Sequence, residues 1–115
     1  MQMIITDTPS VTKEDDTMTI TKTLNGTDLV VAVEGRLDTV TSPDFEAEMT
    51  DALKDVTSVT LDFEKLEYIS SAGLRALLLV RTTLYNNATL KIINANELVK
   101  EVFDVTGFKK IIPID

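Results

Sequence analysis

In "SVTLDFEKLEYISSAGLRALLL" the apolar spacing changes partway along. Val59, Leu61 and Phe63 alternate with polar residues, and Leu74, Leu77 and Leu78 then recur at helical intervals. A period of two buries one face of a strand and a period of about 3.6 buries one stripe of a helix. The stretch therefore predicts a strand, a loop and a helix that must cover each other. That confines the chain to arrangements in which helices pack on a sheet.

The flanking sequence repeats the alternation. Met18, Ile20 and Leu24 alternate with threonines, and Asn25-Gly26 is a strong turn signal before "LVVAVE", so the first two strands are expected to form a hairpin. "TSPDF" opens a helix: Ser42 can cap, Pro43 suits the first helical position, and Asp44 faces the positive end of the dipole. Phe45, Met49, Ala52 and Leu53 are its expected buried stripe. The helix after the double serine carries Leu74, Leu77, Leu78 and Tyr85 on one face. "TLKIIN" reads as a strand. "NELVKEVFDVTGF" reads as a helix burying Leu98, Val99, Val102, Phe103 and Val105 and ending at Gly107, before a short strand "IIPI".

The order is then β-β-α-β-α-β-α-β. It describes one α/β domain with a mixed sheet, an N-terminal hairpin followed by parallel strands joined through right-handed crossover helices. Residues 1–17, rich in Thr and Asp, are expected to be a mobile leader, with an edge strand near Met3 to Ile5 as the competing reading; residues 18–115 form the domain. Functional loops in such sheets lie beyond the strands' carboxyl ends. If Leu29–Glu34 and Val59–Phe63 are parallel, "GRLDTVTS" and "EKLEYISS" share a rim and Asp38 and Ser71 become neighbours.

Composition removes several chemistries. A chain of 115 residues, 43% hydrophobic and 26% charged, suits a single core. Its net charge of −8 opposes nucleic acid and anionic lipid as partners. With no cysteine and no histidine, disulfides, zinc–thiolate sites and imidazole catalysis are excluded. The longest apolar runs, Leu29 to Val33 and Ala76 to Val80, fall far short of the about 20 residues of a membrane span. "MQMIITDTPS" lacks the pattern of a secretion signal, so a reducing cytoplasm is the simplest location.

Three roles are open to Ser71. It can cap the helix that follows; it can accept a phosphate at the helix start, where a negative charge is tolerated. It can also act as a nucleophile, although "SSAGL" lacks the G-x-S-x-G elbow and no histidine is present to take a proton. Asp38 lacks the converging oxygens of a cation site and reads as a carboxylate capping a turn. Gly73 permits close packing, and no nucleotide-binding glycine motif occurs, so no cofactor is expected.

"GRLDTVTSPDF", "VTLDFEKLEYISSAGLRALL" and "VFDVTGFKKIIPI" together resemble the STAS domain, in particular the stand-alone bacterial anti-sigma factor antagonists, over roughly Met18 to Ile114. In that pattern Asp62 and Phe63 match a strand end, Ile69 the apolar residue before the motif, Ser71 the phosphorylated serine, and Gly73 and Leu74 the motif's end. Ser70 stands where the family usually has Asp, which leaves Ser70 as the alternative acceptor. Ala72 replaces a Ser or Thr, and Asp38 matches the aspartate of the Gly-x-Leu-Asp loop. The resemblance implies a partner-binding rim of Asp38, Ser70, Ala72 and Gly73 around Ser71. It implies binding to an anti-sigma factor that is also a GHKL-type serine kinase, release on phosphorylation of Ser71, and restoration by a PP2C-like phosphatase. The alternative is a STAS module that scaffolds another bacterial signalling assembly.

Overall fold

Gly26 and Thr27 form the loop of the expected hairpin, between β2 (Met18–Asn25) and β3 (Asp28–Leu37). Gly26 has φ +65°, the positive value that tight two-residue hairpins require at their first loop position. The protein is seen in a computed structural model that describes residues 4–6, 18–84 and 88–115. Tyr85 lies outside the described residues. So does most of the 1–17 segment, but Ile4–Thr6 forms a short strand β1 antiparallel to β2, in the place of the competing edge-strand reading.

β3 is the organising strand because it is too long for a single parallel partner. Its first half pairs with β4 (Ser58–Asp62), Leu29 opposite Val59 and Val31 opposite Leu61. Its second half pairs with β5 (Leu66–Ile69), Leu37 opposite Ile69, after a register shift between Gly35 and Arg36. β4 pairs in parallel with β6 (Thr89–Ile93). The mixed sheet thus has the hairpin and parallel strands expected, and β5 is an addition. From sequence the segment reads as a loop, because the shift leaves Leu66 and Ile69 buried and breaks the alternation that marks a strand.

Leu29, Val31, Val33, Val59, Leu61, Leu90 and Ile92 project from one face into the core, where they meet the helices. The opposite positions, among them Thr23, Val30 and Lys91, are exposed. α1 (Ser42–Ala52) contributes Phe45 and Met49, and α2 (Ser71–Leu84) contributes Ala76, Leu77, Val80 and Leu84. α3 (Glu97–Thr106) is capped by Asn96, whose side chain accepts the Val99 N–H at 2.8 Å, and ends at Gly107 with φ +77°. Both ends follow the chain's own signals.

Several side chains depart from expectation. Leu78 on α2 and Leu98 and Val105 on α3 are exposed, since only the centre of each apolar stripe reaches the sheet. "IIPI" is not a strand. Phe108–Lys110 turns as a 3₁₀ helix, and only Ile114 bridges to Ile92, because Pro113 supplies a carbonyl to the Ile92 N–H but has no N–H of its own. Ser42 does not cap α1. Thr41 holds the cap position, and the Ser42 hydroxyl is buried with no hydrogen-bond partner among the described residues. No helix among the described residues is long and apolar enough to cross a membrane.

Candidate functional site

The parallel pairing of Leu37 with Ile69 makes the next residues of both strands leave the sheet side by side. Asp38 departs from β3, and Ser70 and Ser71 depart from β5, so the shared rim exists although β5, rather than β4, forms its second side. The Ser70 N–H donates to the Leu37 carbonyl at 3.0 Å and locks the two chain exits together.

The two serines divide the helix start between them. Ser70 is the cap of α2: its hydroxyl accepts the Gly73 N–H at 3.3 Å, and its carbonyl accepts the Leu74 N–H at 2.9 Å. Ser71, read from sequence as the capping position, is instead the first helical residue. Its side chain is exposed and makes no hydrogen bond among the described residues. Its own N–H and that of Ala72 belong to the first turn, where no intrahelical acceptor is available. Ser70 is half-buried, Ala72 is half-buried, and Gly73 is buried.

Gly73 is required by contact rather than by conformation. A Cβ built on it would lie 2.6 Å from the Leu37 carbonyl oxygen and 2.7 Å from Ile69 Cγ1. The first turn of α2 therefore rests directly on the ends of β3 and β5. This contact fixes where Ser71 emerges.

Asp38 performs the turn-capping role. Its Oδ1 accepts the backbone N–H groups of Val40 at 3.0 Å and Thr41 at 3.1 Å, and its carbonyl accepts the Ser42 N–H at 2.8 Å. Thr41 closes the loop by donating its hydroxyl to the Arg36 carbonyl at 2.8 Å and accepting the Asp38 N–H at 2.9 Å. Arg36 Nε donates to Asp38 Oδ2 at 3.3 Å, while its guanidinium stands 4.6 Å from the Tyr68 ring centroid. Arg36, Thr41 and Tyr68 were not singled out from sequence. Arg36 and Tyr68 face each other only through the β3–β5 register, and β5 was not recognised.

Partial burial pushes the Asp38 carboxyl up. The Thr41 N–H, the Arg36 guanidinium, the Val40 N–H and the Thr41 hydroxyl together outweigh it and hold the group below its ordinary value. A depressed folded pKa contributes stability above the unfolded value, near 3.8, and loses it as pH falls through the folded value. The stability difference between the wild type and Asp38→Asn is accordingly expected to be widest at neutral pH and to narrow progressively below about pH 4. Urea unfolding at pH 7 and pH 3 checks this; an unchanging gap contradicts the assignment.

Among the described residues no group of three or more His, Cys, Asp or Glu side chains could hold a metal ion. An open groove of about 530 Å³ lies at the Gly35 irregularity, lined by Glu34, Glu64 and Glu67 among others, and includes neither Asp38 nor Ser71. What the rim offers, among the described residues, is an unbonded hydroxyl on an exposed helix start.

Residues 19–115 match the family model of the STAS domain. BtrV of Bordetella bronchiseptica, a candidate anti-sigma factor antagonist, is 35% identical over 88 residues, covering 75% of this chain and 76% of its own length. Among solved structures, an anti-sigma factor antagonist from Mycobacterium paratuberculosis superposes with a TM-score of 0.80 at 23% identity, covering 87% of this chain and 86% of the other. The anti-sigma factor antagonist SpoIIAA in its unphosphorylated form has a TM-score of 0.70 at 20% identity, covering 86% and 88%. The phosphorylated form of SpoIIAA, a Bacillus cell fate determinant, has a TM-score of 0.66 at 19% identity, covering 86% and 91%. At these identities the structural likenesses establish a common fold.

Proposed function

The chain belongs to the STAS domain family, with its similarities among the anti-sigma factor antagonists, and from that premise we propose that it is a non-enzymatic switch protein whose Ser71 is the point of control. Unphosphorylated, it binds an anti-sigma factor that is also a GHKL-type serine kinase and so frees a sigma factor. The kinase ends the complex by phosphorylating Ser71, and a PP2C-like phosphatase restores it. The cycle runs in the cytoplasm.

The observation that carries this reading is the division between the serines. Because Ser70 holds the cap, a phosphate on Ser71 leaves the bond that stabilises the start of α2 intact. Ser71 itself is exposed, as a kinase substrate must be. Ser70 fits that role less well, since it is half-buried and its hydroxyl oxygen is already held against the Gly73 N–H. Around Ser71 the surface also offers apolar contact area. Val40 is exposed on the Asp38 loop, and Leu78 and Leu79 are exposed further along the outer face of α2. Such side chains, left uncovered beside a controllable charge, suit a docking face that is strengthened or vetoed as a unit.

Incubation with the cognate kinase and ATP, followed by phosphopeptide mapping, is expected to place the phosphate on Ser71. Modification confined to Ser70 would overturn the assignment.

A further inference from the structure

We propose that Arg75 is the intramolecular partner of a phosphate carried on Ser71, drawing it back along α2 instead of leaving it free over the rim. The inference rests on Ser71 being the modified residue. Ser71 and Arg75 are four residues apart on one helix and are both exposed. At that spacing side chains on a helix meet, and the favourable orientation has the anion on the N-terminal side, as here. A guanidinium also matches a phosphate by paired N–H donors, which an ammonium does not.

The other cation of the rim is already committed. Arg36 donates to Asp38 and lies over Tyr68. Asp38 in turn is held by that guanidinium and by the Val40 and Thr41 N–H groups. Arg75 makes no ion pair or hydrogen bond among the described residues. In a chain of net charge −8, an unpaired arginine one turn below the acceptor is the cation best placed to receive it. The phosphorylated state then keeps its helix start, and the phosphate is bound rather than merely tolerated. The switch acts through what α2 presents to a partner, without refolding.

The test places phosphoserine at position 71 during translation, so that it does not depend on any kinase choosing that residue. In a ³¹P NMR titration the phosphate of the otherwise wild-type chain is expected to lose its second proton below the ordinary value of about 6. Arg75→Gln is expected to raise that pKa by about 0.2–0.4 unit, and Arg75→Lys to recover part of the shift. Identical pKa values in the wild type and Arg75→Gln would overturn the proposal. Failure of the Ser71 reading itself would show separately, as absence of kinase labelling at that residue.

Discussion

Ser71→Ala is expected to hold the anti-sigma partner with unreduced affinity whether or not ATP is present, and Ser71→Asp to bind at least about tenfold more weakly. The asymmetry follows from where the hydroxyl stands. It donates to nothing and accepts from nothing among the described residues, so its removal costs that part of the fold no bond. Placing a carboxylate there puts a charge into a face that must lose water on docking. A tenfold loss corresponds to about 1.4 kcal/mol, a modest fraction of what an unpaired charge in an interface can cost. A phosphate adds about −1.5 to −2 charge, so its effect should exceed that of Asp and reach a hundredfold or more. Titration of each variant with the partner measures both values. Equal binding by Ser71→Ala and Ser71→Asp would show that the docking face does not include this position.

Gly73→Ala is expected to destabilise the domain, in the direction opposite to helix propensity. Alanine is the better helix former by about 1 kcal/mol, and Gly73 does not have the positive φ that would explain a glycine by conformation alone. Against this, the new methyl would sit 2.6 Å from the Leu37 carbonyl oxygen. That oxygen is backbone and already accepts the Ser70 N–H, so it cannot move aside without breaking the lock between β3 and α2. Overpacking of this kind costs about 1–3 kcal/mol, and with a backbone atom as the obstacle the upper part of that range applies. A net loss of about 1–2 kcal/mol in urea unfolding is expected after the propensity gain. A variant as stable as the wild type would mean that the close approach is not maintained in solution.

Both results depend on a site whose outline was visible in the residue order and whose details were not. Alternation at Val59, Leu61 and Phe63 and the turn signal at Asn25-Gly26 led to parallel strands with Asp38 and the serines at one rim, and the register bears out that placement. The turn-capping role of Asp38 could be read because no other carboxylates are spaced to converge with it on a cation, and a loop aspartate then caps a turn by default. The choice between Ser70 and Ser71 as cap could not, since adjacent serines satisfy the same preference and only the hydrogen bond to the Gly73 N–H separates them. β5 was hidden by the irregularity at Gly35, which removes the period-two pattern at Leu66–Ile69. Leu78, Leu98 and Val105 lie at helical spacing yet face solvent, because spacing marks a stripe without giving its width. Ile111 to Ile114 looked like a strand by composition, and Pro113 prevented it from becoming one.

The account rests on one claim, that a charge on Ser71 decides whether the partner can dock. The most direct measurement is calorimetric titration of the anti-sigma factor with the wild-type protein before and after stoichiometric phosphorylation, at a single salt concentration. The expected result is a loss of affinity of about a hundredfold or more, equivalent to about 2.7 kcal/mol or more. Unchanged affinity after complete phosphorylation at Ser71 would contradict it.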